Sequence, residues 1–502
     1  MQNPDIGDDE ALLRLVNSVI WPGFRGRTLP GWAEDALRDG LAGLVYFEQN
    51  IGGPEEVRAL SARIHQLNPA AVIGVDEEGG IVTRLEARDG SSTPGNAVLG
   101  KADDVATTEA VSAWTGAIVA AAGIDIDLAP TVDVNVDPRN PVIGVRSFGA
   151  DPELVARHTG AAVRGLQSAG VAACAKHYPG HGDTSTDSHL ALAVSNATDQ
   201  QFHEVHLRPF AEAVSAGVKA VMTAHLRVPQ LGDAPATLNP RALGLLRSLG
   251  FDGVIVSDAL DMAAIRHTVG MGRGAVLALL AGVDLLCIGN PVQNPQHPDG
   301  PTDEMEYLDV RDALVGAVRS GELPASRVAE AAERVAALSV WVRSQPRAAA
   351  APPAPDLDAI VTASIRIVGA ARLAPGPLTV VDARTKRNIA VGAQVDHFTR
   401  ALSSYREVER VWLTDAGTAE DAARRAADVL ASAAAPVLIV NQVQSNALEA
   451  GVVDAVLARR PETVVIVAGW PGPGEPGAAA NAVYAYGSAR VNAAAVARVL
   501  CG

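Results

Sequence analysis

VAACAKHYPGHGDTSTDSH, residues 171–189, runs from a short apolar stretch straight into a segment crowded with titratable side chains. Residues 171–175 are small or β-branched and read as a buried strand. Lys176 to His189 then reads as the loop leaving the C-terminal end of that strand. Three of the eleven histidines, two aspartates and one of four lysines fall within these fourteen residues. A strand that ends in such a loop is the repeating element of parallel α/β folds, whose chemistry sits at the strand C-termini.

The same pattern recurs on both sides. Strands are expected at 43–47, 71–76, 124–128, 219–224, 253–257 and 283–287, each a brief apolar run. Between most of them lie segments with apolar residues three and four apart, such as DPELVARHTGAAVRGLQSAG and DEALLRLVNSVI, which predict helices. Strand–helix alternation implies a parallel sheet, because each parallel crossover needs a helix. Seven or eight units in about 340 residues fit a (β/α)8 TIM-like barrel. A doubly wound open sheet is the rival architecture. The barrel is assigned to residues 1–345. The Pro- and Ala-rich stretch at 346–358 reads as a semi-stiff linker. Beyond it, 359–502 resumes the alternation, with strands expected at 378–382, 409–413, 436–440, 463–468 and 482–486. This predicts a second domain, an α/β sandwich.

Composition narrows the function classes. The chain has 502 residues, 48% of them hydrophobic and 20% charged, which is ordinary globular usage. A net charge of −16 repels polyphosphate backbones, and only 4% of residues are aromatic. Nucleic acid is therefore not an expected partner. Three widely spaced cysteines, Cys174, Cys287 and Cys501, form neither a disulfide framework nor a C-x-x-C pair. No apolar run is long enough to span a bilayer, and the acidic N-terminal stretch has no secretory pattern, so a cytoplasmic location is expected.

Two chemistries compete for the 176–189 segment. In one, His177, His181, Asp183, Asp187 and His189 ligate a divalent metal. In the other, Asp187 orients His189 as an Asp–His pair for proton transfer. Three further strand ends carry charge. GVIVSDALDM (253–262) places Asp258 after a strand, where Ser257 and Asp258 also suit a helix cap. GVDEEGGIVTRL (74–85) places Asp76 similarly, and NPVIGVRSFG holds Arg146 in a Gly- and Pro-rich segment. Asp284 begins a strand and reads as structural. His225, in MTAHLRVP, reads equally as a pocket-lining or a core histidine.

Taken together, DEEGGIVTR (76–84), NPVIGVRSF (140–148), KHYPGHGDTSTDSH (176–189) and SDALDM (257–262) resemble glycoside hydrolase family 3, in its β-N-acetylglucosaminidase branch. All four occur in the family's order, across roughly residues 10–345. The resemblance implies a retaining glycosidase in which Asp258 is the nucleophile and His189, oriented by Asp187, is the acid/base. It favours the Asp–His reading over the metal one and implies no cofactor. Asp76, Arg146, Lys176 and His177 would hold the sugar, and a buried Lys176 would need a counter-charge such as Asp76 or Asp258. His181 and Asp183 would shape the loop. The partner implied is a small glycoside, derived from cell wall. A histidine acid/base is neutral where a glutamate would repel phosphate, so inorganic phosphate could replace water as acceptor. Hydrolysis leads, and a phosphorylase giving N-acetylglucosamine 1-phosphate is the alternative.

Overall fold

Eight parallel strands form the first sheet: β1 (Ile20–Trp21), β2 (Gly43–Tyr46), β3 (Val72–Val75), β4 (Ile126–Asp127), β5 (Ala172–Tyr178), β6 (Ala220–Thr223), β7 (Val254–Val256) and β8 (Leu286–Cys287). The computed structural model describes residues 9–184, 192–291, 302–346, 354–384, 396–413, 417–471 and 481–502. Strands β2 to β7 pair in sequence order, and β1 pairs with β8. The ring closes through two joins. A parallel bridge between Val256 and Leu285 links β7 to β8. On the other side, Ala42 N–H donates to Asn17 O (2.9 Å) and Val45 N–H to Pro22 O (3.0 Å), tying the β1 segment to β2. This is the expected barrel, and the open-sheet rival falls with the closure.

The interior is filled by apolar side chains from all eight strands. Trp21, Val45, Val72, Ile126, Ala172, Cys174, Met222, Val254, Val256 and Cys287 share one core. Trp21 lies so close to β3 that any side chain at Gly74 would overlap its indole, which explains a glycine inside a strand. Two sequence expectations need correction. Strand β1 lies where DEALLRLVNSVI predicts helix throughout; the helix ends at Asn17, and two residues give no period to detect. Strand β5 also runs on to Tyr178, so Lys176 and His177 are strand residues rather than loop residues. Val132 N–H donates to Lys176 O (2.7 Å) and Lys176 N–H to Pro130 O (3.1 Å), extending the ladder past the apolar run.

The strand N-termini are fixed by ion pairs to the helix Ala325–Ser344. Arg343 Nη1 donates to Asp125 Oδ1 (2.5 Å), and His65 Nε2 lies 2.8 Å from Asp125 Oδ2. Arg327 and Arg334 of the same helix reach Asp284. Burial alone would push the Asp125 carboxyl up, but His65 and then Arg343 outweigh it and hold it below the usual carboxylate value. A depressed folded-state pKa contributes stability above the unfolded pKa of about 4, lost as pH falls through the folded value. Arg343→Met is therefore expected to destabilise the protein more at pH 7 than at pH 3, read as denaturant midpoints against wild type. An equal gap at both pH values would refute the pairing.

The second sheet has the order β9–β14–β13–β12–β10–β11, from β9 (Arg366–Val368), β10 (Leu378–Asp382), β11 (Val408–Trp412), β12 (Ala435–Val440), β13 (Val464–Val467) and β14 (Ala482–Tyr484). All pairs are parallel except β9 with β14. Alternate residues serve opposite faces, as the strand period requires. Leu438 and Val440 pack with Ala422, Leu430 and Val452 of two helices. Val437 and Ile439 pack with Phe398, Leu402 and Val496 of two others. That is the expected sandwich, with one antiparallel edge strand too short to be read from sequence.

The chain divides into two compact units that are not contiguous in sequence. One comprises residues 1–78, 105–134 and 155–354; the other comprises 79–104, 135–154 and 355–502. Segments 79–104 and 135–154 thus belong with the sandwich, since Ala97, Val98 and Val145 share its core with Val361, Leu438 and Tyr484.

Candidate active site

The C-terminal ends of β3, β4, β5 and β7 bring a set of charged groups together in the first unit. Lys176 is the hub. Its side chain is 2% exposed, and its ammonium lies 2.7 Å from both Asp76 Oδ1 and Glu78 Oε1. A buried ammonium needs such compensation, and two carboxylates from the loop after β3 supply it. Asp76 is the counter-charge expected from sequence. Glu78 was not singled out; its signal was the acidic run D-E-E at the same strand end. Below them lies Asp127, whose Oδ1 accepts from the Glu77 amide (2.9 Å). Complete burial raises its carboxyl well above the ordinary range, favouring the neutral form.

His177 is held by a second carboxylate. Its Nδ1 lies 2.8 Å from Asp133 Oδ2, and the amide of His181 donates to Asp133 Oδ1 (2.6 Å). Burial would raise the Asp133 carboxyl, but His177, with help from His181, holds it below the usual value. With Asp133 accepting at Nδ1, the His177 tautomer is fixed and the ring orientation set. Asp133 was also missed, although TVDVNVD alternates in a way that places it beside the β4 end. The peptide bonds Lys176–His177 and Tyr178–Pro179 are cis.

His181 and Asp183 both have side-chain partners close by. Thr184 Oγ1 lies 2.8 Å from His181 Nδ1. Asp183 Oδ2 accepts from Ser195 Oγ (2.8 Å) and Asn196 N–H (2.9 Å). Burial lowers the His181 pKa, partly opposed by the Asp133 charge and, more weakly, by that of Asp258. Among the described residues, no group of three or more His, Cys, Asp and Glu is arranged to hold a metal ion. Asp187 and His189 lie outside the described residues.

Asp258 lies two residues beyond the end of β7. Its main-chain N–H donates to Thr223 Oγ1 (3.2 Å), and its Oδ1 accepts from the Ala259 N–H (2.8 Å). A carboxylate fixed at a strand end and half-buried is suited to nucleophilic attack or to stabilising a developing cation. Arg146 belongs to the second unit, where it is buried, donates from Nη1 to Val142 O (3.1 Å), and accepts at its carbonyl from Asn96 Nδ2 (2.8 Å).

Comparison with known proteins gives the family. Residues 31–338 match the model of the glycosyl hydrolase family 3 N terminal domain. A beta-hexosaminidase of Stenotrophomonas maltophilia is 37% identical over 280 residues, covering 54% of this chain and 82% of the relative. Beta-hexosaminidase A of Pseudoalteromonas piscicida is 31% identical over 334 residues, covering 62% of this chain; the chain spans 55% of that relative's length. Among solved structures, a glycoside hydrolase family 3 β-N-acetylglucosaminidase from Paenibacillus sp. FPU-7 superposes with a TM-score of 0.84 at 31% identity, over 98% of this chain and 96% of that one. A barrel matched by a family model over well more than half of its chain, with acidic strand ends around a buried lysine, leaves one assignment: the chain belongs to glycoside hydrolase family 3.

Proposed function

We propose that the protein is a retaining β-N-acetylglucosaminidase that cleaves small glycosides, those released from cell wall among them. The observation that carries this reading is the placement of Asp258 just beyond β7, at the same C-terminal end of the strands that carries the Asp76–Lys176–Glu78 and His177–Asp133 groups. The beta-hexosaminidase relatives support the substrate class.

Catalysis proceeds in two steps. Asp258 attacks the anomeric carbon, the aglycone oxygen leaves with a proton, and a glycosyl ester forms. Water then attacks the anomeric carbon and loses its proton, the bond to Asp258 breaks to release the free carboxylate, and the sugar departs with retained configuration. His189, oriented by Asp187, donates the first proton and takes the second, because a group with a pKa near neutrality serves both steps. Asp76 accepts from sugar hydroxyls. Lys176 and His177, with geometry set by their carboxylate partners, donate to the sugar. Lys176→Met removes a charged donor and leaves two carboxylates uncompensated. It is expected to lower kcat/KM by about 10- to 100-fold, measured with a chromogenic β-N-acetylglucosaminide. A change under threefold would remove Lys176 from the binding set.

The acceptor is tested in one assay run in two buffers. The protein is incubated with the same glycoside with and without millimolar phosphate, and the sugar product is identified by phosphorus NMR. Free N-acetylglucosamine in both buffers is expected. Phosphate-dependent release of the sugar 1-phosphate would overturn hydrolysis in favour of phosphorolysis.

A further inference from the structure

His225 lies two residues beyond β6, between the ends of β5 and β7, and is fully buried. Both of its ring nitrogens are engaged. Nε2 lies 2.9 Å from the Ala259 carbonyl oxygen, which only accepts, so Nε2 carries a proton and donates. Nδ1 faces the Thr237 hydroxyl at 2.9 Å. Thr237 Oγ1 is in turn 2.8 Å from Thr223 Oγ1 and 3.1 Å from the Ala224 carbonyl. Thr223 Oγ1 accepts the Asp258 amide. The imidazole therefore grips the Asp258–Ala259 segment twice, directly at the Ala259 carbonyl and through two hydroxyls at the Asp258 amide. Ala259 is also the residue whose N–H holds Asp258 Oδ1.

We propose that His225 is a positioning residue for the Asp258 carboxylate, acting through Ala259 and the Thr237–Thr223 pair. The inference rests on Asp258 being the nucleophile. The strand is only three residues long and ends at Val256, two residues before Asp258, so the strand alone does not fix the aspartate. Attack at a carbon needs the carboxylate oxygen placed to within about half an ångström. The buried hydrogen-bond chain supplies that constraint. A core histidine that merely filled space would be replaceable by an apolar side chain of similar size.

The test compares His225→Leu, His225→Gln and Asp258→Ala in the same glycosidase assay. His225→Leu keeps the bulk and loses the donor; it is expected to lower kcat by roughly 30- to 100-fold with KM within threefold. His225→Gln places an amide N–H toward the Ala259 carbonyl and is expected to recover about tenfold of that loss. A kcat within threefold of wild type for His225→Leu, or equal losses in both variants, overturns the proposal. If His225→Leu fails to fold, Thr237→Val carries the test, with an expected loss in kcat of about fivefold at an unchanged melting temperature; an unchanged kcat overturns the proposal. An active Asp258→Ala variant removes the underlying nucleophile reading and the inference with it. An inactive Asp258→Ala beside a fully active His225→Leu removes the inference alone.

Discussion

Asp258→Ala is expected to lower kcat by roughly 10⁴-fold or more, with the affinity for a non-hydrolysed sugar analogue changed only a few-fold. The size follows from the role. Without the carboxylate no glycosyl ester forms, and the remaining groups at the strand ends contribute binding and charge alone. The split between kcat and affinity follows from placement, since Lys176, Asp76 and Glu78 form their ion pairs independently of Asp258. Azide is expected to restore turnover in this variant by occupying the vacated space, and its product should have inverted configuration because only one displacement then occurs. Activity within tenfold of wild type would mean that Asp258 is not the nucleophile.

The second large effect is on stability, at the opposite face of the barrel. Asp284, fully buried, accepts from Arg247 Nη2 (2.5 Å), Arg327 Nη2 (2.8 Å), Arg334 Nη1 (3.1 Å) and the Ile255 N–H (3.0 Å). One carboxylate thus pairs with three guanidinium groups and ties the helix Ala325–Ser344 to the strand bases. Asp284→Ala strands those cations around an empty site. Breaking a buried pair from one side costs about 3–5 kcal/mol. The arginines retain 15–28% side-chain exposure, so water relieves part of the penalty and a value near 3 kcal/mol is expected. Guanidinium unfolding measures it. A loss below 1 kcal/mol would mean that the arginines find other partners. Activity per folded molecule should stay close to wild type, because this end of the barrel holds up the fold and the other end performs the chemistry.

Much of this was legible in the sequence, and the gaps have physical causes. Strands such as Leu378–Asp382 were readable because a continuous β-branched run marks a strand buried on both faces. Ile20–Trp21 was not, because a two-residue strand has no period and follows a helix without a break. The β5 extension was missed because Lys176 and His177 are polar, and polarity after an apolar run reads as loop. They remain in the ladder because Asp76, Glu78 and Asp133 satisfy them in the interior. Those partners come from 40 to 100 residues earlier in the chain, and no local pattern announces them. Motif reading found Lys176 and His177; it had no access to the carboxylates Glu78 and Asp133 that hold them. The same limit applied to His225, whose meaning depends on Thr237 and Ala259 rather than on its neighbours in sequence.

The most direct test of the central claim is to trap the intermediate. The protein is incubated with a fluorinated β-N-acetylglucosaminide whose ester hydrolyses slowly, and the adduct is located by peptide mass mapping. The account predicts a gain of one sugar on the peptide containing Asp258, lost again as the ester turns over. Turnover with no adduct, or an adduct on any other residue, would contradict it.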